Sequence, residues 1–238
     1  MIRQTTVFVF SQWLVCFAVQ VGLAQEFRPL SKGSPTTVEN FLQEMFFLTG
    51  TSGSVILSGA CKDGAANVDK AVISDALPRP PQGPFQNLGE AITAVSQLAP
   101  PISWALDKRG LMRVSDNRVT DDVLRVALRR VHFTKAADPN EAIHTILSAP
   151  EVQEYFKQNH IEEGTVRMMP MNSRDAPRLS GDLQNVTVAE ALDSVVKFFP
   201  GLWIYSECTS GSARRVIVRG AEVGPPGGPP SGSHAGRH

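Results

Sequence analysis

The sequence predicts a mixed α+β protein of two similar small lobes, each running β-α-β-β-α-β-β with two helices packed on short mixed sheets. Three observations carry this. A helix-start signature recurs four times at nearly even spacing along the 238 residues. Each recurrence opens an amphipathic run. The second and fourth of these runs then pass through a proline into a strand, a polar turn and a returning strand.

The signature is a short side-chain oxygen three residues before a glutamate: Thr36-x-x-Glu39, Asn87-x-x-Glu90, Asp138-x-x-Glu141 and Thr187-x-x-Glu190, at spacings of 51, 51 and 49 residues. The first residue can accept from an orphan N–H at the helix start, and the glutamate can reach back to the cap and favours the positive end of the helix dipole. Pro139 adds a preset φ at the first helical position of the third run. A regular beat of this length is the mark of an internal repeat.

Taken in order, a weak strand at Glu26 to Leu30 precedes the first helix, whose stripe is Val38, Phe41, Leu42, Met45 and Leu48. Gly50-Thr51-Ser52-Gly53-Ser54 reads as a helix stop and turn, with a strand at Ser54 to Ser58. Residues 59–86 are poorly patterned and end in a stiff proline-rich loop, 78–84. The second helix carries Ala91, Ile92, Val95 and Leu98, and a hairpin follows (Ile102 to Leu106, then Leu111 to Ser115).

Near residue 120 the pattern restarts. Leu124 to Phe133 alternates as a half-exposed strand. The third helix carries Ala142, Ile143, Ile146 and Leu147, extended by a second piece from Glu151 to Asn159, and Thr165 to Met169 reads as a strand. The fourth helix carries Val188, Ala191, Leu192, Val195 and Phe199, and leads into the hairpin Leu202 to Tyr205 and Arg214 to Arg219. All four stripes follow i, i+3, i+4, i+7, so each helix has one face to bury. At an offset of 100, Glu90, Ala91, Ile92, Val95 and Pro100 fall on Glu190, Ala191, Leu192, Val195 and Pro200.

Composition is 42% hydrophobic and 19% charged, enough to bury a core. Lys+Arg and Asp+Glu balance at 23 each, which offers no field for nucleic acid or an anionic membrane. The basic pairs Arg129-Arg130 and Arg214-Arg215 read as solvated strand faces. Residues 1–24 read as a secretory signal: Arg3, then the apolar run Val7 to Val21, then Gly22-Leu23-Ala24 before the cleavage point. The expected organisation is therefore a signal peptide over 1–24, lobe 1 over 25–120, lobe 2 over 121–222, and a proline- and glycine-rich disordered tail over 223–238. The expected location is periplasmic or secreted, with no stable membrane span after signal cleavage.

Cleavage after Ala24 removes Cys16 and leaves Cys61 and Cys208. In an oxidising compartment they can join, a bridge worth roughly 4–5 kcal/mol in the chain-entropy model; the alternative is two buried free thiols. Neither has a CxxC neighbour or zinc-ligand spacing.

The string from Leu179 to Arg219 resembles the second half of the STN domain, the short N-terminal domain of secretins and TonB-dependent outer-membrane receptors. The likeness rests on Leu179-Ser180-Gly181, on Val186-Thr187-Val188-x-Glu190-Ala191-Leu192, and on the closing hairpin, Leu202 to Arg219. Phe85 to Arg113 looks like a more diverged copy. Together the two halves span residues 27–120 and 121–220. The resemblance implies two helices flanked by small sheets, and a non-catalytic periplasmic role in docking other envelope proteins. The chain departs from the family in carrying two copies, with no plug, barrel or secretin pore after them.

Catalytic signatures are absent: no GxSxG, HExxH, Walker A loop or GxGxxG occurs. Glu141 and His144 have the i, i+3 spacing of di-iron bundles, but no matching pair stands on another helix, and capping explains Glu141. His132, His144 and His160 read as surface histidines. Asp121-Asp122 and Glu162-Glu163 read as paired carboxylates in turns, with nothing nearby expected to shift their pKa. No catalytic, cofactor-binding or metal-binding residue is assigned, and no cofactor is expected. Trp104, Trp203 and Tyr205 lie on the two hairpins; either they pack against the helices, or they are exposed anchors for a protein partner. Open sheet edges could also recruit a strand. The expected function is thus an exported, non-catalytic interaction or scaffold module. The alternatives are a periplasmic solute-binding protein with its ligand between the lobes, and a hydrolase of unrecognised type.

Overall fold

A computed structural model describes residues 28–29, 36–63, 70–99, 102–108, 110–136, 138–164 and 178–223. The signal expected over 1–24, the strand expected at Thr165 to Met169, and residues 224–238 of the expected tail lie outside these, as does most of Glu26 to Leu30.

Helices form at all four recurrences. Asn87, Asp138 and Thr187 cap them as expected, each side chain accepting from the N–H of the glutamate three residues on. At Thr187 the reciprocal bond is also made, with Glu190 Oε2 accepting from the Thr187 N–H at 2.8 Å. The first start is one residue late. Thr36–Thr37 forms a short strand, β1, paired with Ala76–Leu77, so the helix opens at Val38 with Thr37 as its cap. Glu39 then stands at the second helical position, where it does not serve the cap.

Helices α1 (Val38–Thr49), α2 (Leu88–Ser96), α3 (Pro139–Leu147), α4 (Pro150–Gln158) and α5 (Val188–Phe198) combine with strands into an α+β fold. The central sheet has seven strands: β2 (Gly53–Asp63), β3 (Lys70–Ser74), β5 (Ile102–Leu106), β6 (Met112–Asp116), β8 (Ile161–Glu163), β10 (Gly201–Ser210) and β11 (Ala213–Glu222). Their order is β5-β6-β2-β10-β11-β8, with β3 folded back on the far end of β2. Strand β4 is Ala76–Leu77. Strands β7 (Ala127–Ala136) and β9 (Leu179–Thr187) form a separate antiparallel ribbon.

Two readings need correction. The segment 59–86 is not unpatterned throughout: β2 runs on to Asp63 and β3 returns along it, from Gly59↔Ser74 to Asp63↔Lys70. The strand expected from Leu124 begins only at Ala127, because Asp122–Arg125 makes a 3-10 turn that buries Val123 and Leu124.

Strand pairing repeats between the halves. In each, a strand before the first helix pairs antiparallel with one before the second (β1 with β4, β7 with β9). In each, the closing hairpin is joined in parallel by the strand after the first helix, β2 beside β6 and β8 beside β11. The halves do not stand apart, however. Strand β2 also runs parallel to β10, from Leu202↔Gly53 to Glu207↔Ser58, and fuses both into one sheet.

Alternation then divides the core. One face presents Val55, Leu57, Met112, Val114, Leu202 and Ile204 to α1 and α2. The other presents Ile56, Trp203, Tyr205, Val216 and Val218 to the helices of the second half and the β7–β9 ribbon. Each half thus covers the face the other leaves bare. Close approach of β2 to β6 and α1 requires glycine: a Cβ on Gly53 would lie 2.0 Å from the Met112 carbonyl oxygen and 2.9 Å from the Phe46 ring. Gly53→Ala should cost about 2 kcal/mol, measured as a lower urea midpoint with an unchanged m-value.

Candidate functional site

The hairpin tryptophans hold equivalent places with different fates. On β10, Trp203 faces α5 and its indole N–H donates to Asp193 Oδ1 at 2.9 Å. On β5, Trp104 faces α2 and its indole N–H donates to Thr93 Oγ1 at 3.3 Å. Thr93 and Asp193 are the same position of the repeat, 100 residues apart. Helix α2 lies close enough on the Trp104 ring that a Cβ on Gly89 would come within 2.8 Å of it.

Trp203 is completely buried. Ser54 of β2 lies beside it, and the Arg113 guanidinium sits 5.8 Å from its ring centroid while bonding Asp193 Oδ2 at 3.0 Å. Tyr205 is equally buried, its O–H donating to Glu207 Oε2 at 2.9 Å. The reading of these two as exposed partner anchors is therefore wrong, because β2 crosses from the other half and covers their strand. Trp104 is 42% exposed and Leu106, two residues on and on the same face, 61%. Strand β5 is the terminal strand of the sheet, and no strand among the described residues pairs with its outer edge. None of Ile102, Ser103, Trp104, Ala105 and Leu106 is charged, although charge is a usual guard of an open edge.

Cys61 and Cys208 are disulfide-bonded, with Cα atoms 5.3 Å apart. The bridge lies just past the end of the β2–β10 ladder, where β2 turns away with β3, and so ties the two halves together.

A cavity of about 310 Å³ opens between the halves, lined by Glu39 and Gln43 of α1, Val72 of β3, Asn140 of α3, and Ser206 and Arg219 of the second hairpin among others. Glu39 is buried and ion-pairs with Arg219; the Ser206 hydroxyl donates to its Oε2 at 3.4 Å. Sequence reasoning missed Glu39 because the glutamate of the same signature stands in the first helical turn of the other three units, where a capping role accounts for it. The clue lay in the doubled Thr36-Thr37, which allows the cap to slip by one.

A second polar cluster corrects two readings. Arg214 and Arg215 are not on a solvated face: their side chains are 19% and 7% exposed. Arg215 bonds Asp63 Oδ1 at 2.7 Å and Glu162 Oε2 at 3.2 Å. Arg214 bonds Asp122 Oδ1 at 2.6 Å and Oδ2 at 2.9 Å, Glu207 Oε2 at 3.0 Å through Nε, and the Tyr205 hydroxyl at 3.0 Å. Asp122 is far from unperturbed. Burial pushes its carboxyl up, but the Arg214 guanidinium, with hydrogen bonds from the Tyr155 and Thr120 hydroxyls, outweighs that and holds it well below the usual carboxylate range. Tyr205 is pushed the other way, up, by burial and the neighbouring Glu207 charge. Arg214 ties Asp122, next to the connection between the halves, to Glu207 and Tyr205 of the second hairpin.

His132, His144 and His160 are exposed and stand on different elements: His132 on β7, His144 on α3, His160 in the turn after α4. His132 Nδ1 lies 2.8 Å from Asp182 Oδ1, and Arg130 and His132 together hold that carboxyl down to about 2. Among the described residues, no three His, Cys, Asp or Glu side chains are grouped to hold a metal, and no helix is long and apolar enough to cross a membrane. No family model, curated protein or solved structure matches the chain.

Proposed function

We propose that the protein is an exported, non-catalytic interaction module of the cell envelope, built from two STN-like halves, which docks a protein partner on the outer edge of β5. The observation that carries this is the contrast between equivalent strands. Strand β10 is covered along its edge and its tryptophan is fully buried; β5 offers the same kind of edge, uncharged, with Trp104 and Leu106 half open. Strand addition at such an edge combines main-chain hydrogen bonds with aromatic contact, and tryptophan is the commonest interface hot spot. The helix–hairpin units support the STN-like reading. The Cys61–Cys208 bridge supports an oxidising, exported setting.

The test is a photo-crosslinking residue at position 106 in cells of the source. A discrete adduct is expected there, absent when the crosslinker replaces Arg129 on the exposed side of β7, and lost on adding Trp104→Asp. Equal adducts at both positions, or none at 106, would reject the docking edge.

The cavity favours a second reading, a small solute held between the halves. Its one buried carboxylate is already matched by Arg219, which leaves a neutral polar ligand as the best fit. A thermal shift that disappears in Ser206→Val would support it.

A further inference from the structure

The sheet contains its own template for what covers such an edge. We propose that β5 takes an uncharged strand running parallel to it, with a small residue beside Trp104 and a β-branched aliphatic residue beside Leu106. The inference rests on reading the β5 edge as the docking surface, and adds the direction and side-chain chemistry of the partner strand.

The derivation is one of equivalence. The arrangement β5-β6-β2 in the first half matches β10-β11-β8 in the second, each a hairpin with a parallel strand on its second member. In the second half the outer edge of the hairpin's first strand is occupied, by β2, in parallel. Trp203 and Tyr205 on β10 correspond to Trp104 and Leu106 on β5, since each pair faces its own half's helices. Beside Trp203 runs Ser54, buried, and beside Tyr205 runs Ile56, also buried. Serine leaves room for the indole, and isoleucine fills the pleat next to the second large side chain. Val55 and Leu57 point to the opposite face, toward α1 and α2. A strand on β5 would have no such helices on that side, so its alternate residues are free to vary.

The same equivalence tests whether the occupant is a second copy of the chain. The strand equivalent to β2 is β8, at the other end of the sheet, and docking it on β5 of a neighbour would build a head-to-tail assembly. Strand β8 offers Ile161, Glu162 and Glu163, and Glu162 shares a face with Arg215, its partner at 3.2 Å. In the parallel arrangement that face is the one carrying Trp104, so an acidic group already committed to Arg215 would meet an apolar edge. The β8 edge is guarded by charge and the β5 edge is not; the occupant is a different protein.

The probe is a capped peptide copy of residues 53–58, Gly-Ser-Val-Ile-Leu-Ser, carrying a nitroxide at its N-terminus and titrated into the oxidised full chain. Binding should blue-shift tryptophan emission, and the change should vanish in Trp104→Phe. The label should broaden the amide of Ser103 more than that of Leu106, as Gly53 lies beside Leu202 in the internal pair and Leu202 holds the place of Ser103. Within the peptide, Ile56→Asp should weaken binding about tenfold or more and Val55→Asp only about twofold. Broadening centred on Leu106 would overturn the parallel orientation while leaving the docking edge standing. Equal losses for the two aspartates would overturn the side-chain assignment. A peptide affinity weaker than about 1 mM, with the position-106 adduct still formed, would sink the template inference alone; loss of that adduct as well would sink the docking edge with it. Reversible self-association of the chain, abolished by Trp104→Asp, would replace the foreign partner with a second copy.

Discussion

Removing the Cys61–Cys208 bridge, by reduction or by the double change Cys61→Ser and Cys208→Ser, should lower Tm by about 10 °C. The bond closes a separation of 147 residues, for which the chain-entropy model gives roughly 5 kcal/mol, with 2–5 kcal/mol the usual loss in secreted domains. At about 2–4 °C per kcal/mol for a chain of this size, that is a large shift. Its location predicts where the damage starts. Beyond Ser58, β2 has left β10 and keeps only β3 beside it, so without the bridge the β2–β3 hairpin is tethered at one end. Amides of Val72 and Ile73 should lose hydrogen-exchange protection before those of Val55 and Ile56, which sit inside the seven-stranded sheet. An unchanged Tm under reducing conditions would mean that the β2–β10 ladder alone holds the halves together. Uniform loss of protection would mean that the hairpin is not a separable unit.

Local chemistry made much of this architecture legible. Caps and stripes are decided within a few residues, which is why Asn87, Asp138 and Thr187 could be read as helix starts. The hairpins were readable because Pro200 and the polar turns punctuate apolar runs. The joining of the halves was not readable. The alternation of Val55, Ile56 and Leu57 is that of a strand buried on both faces, but a continuous apolar run does not name its neighbours. The parallel partner of β2, which lies some 149 residues away, turned Trp203 and Tyr205 from candidate anchors into core. Trp104 is the same residue type facing its own half's helices, one residue out of the 100-residue offset, and its exposure is set by which strands lie at the sheet's end. Arg214 and Arg215 misled for a related reason: a basic pair looks solvated until the acids that meet it arrive from positions 63, 122, 162 and 207.

Arg214→Met should destabilise the protein by about 3–5 kcal/mol at pH 7 and should make it gain stability on acidification between about pH 6 and 4, where the wild type gains none. Arg214 is the one cation bonded to both Asp122 and Glu207 among the described residues. Without it the carboxylates remain, Glu207 only 12% exposed, and an uncompensated buried charge costs about that much. In the wild type, Asp122 has a folded pKa below its unfolded value of about 3.9. Its contribution to stability is therefore complete above about pH 4 and is lost as pH falls toward the folded value. In the variant, the same carboxyl keeps the burial that raises its pKa and has Glu207 nearby, while only the Tyr155 and Thr120 hydroxyls remain to oppose them. Its folded pKa should lie above the unfolded one, so acidification from pH 6 to 4 should recover stability where the wild type gains none. Urea midpoints at pH 7, 6, 5 and 4 for the two proteins decide it. Parallel curves, or a variant as stable as the wild type at pH 7, would mean that solvent reaches the cluster and that Arg214 does not clamp the turn at Asp122 to the second hairpin.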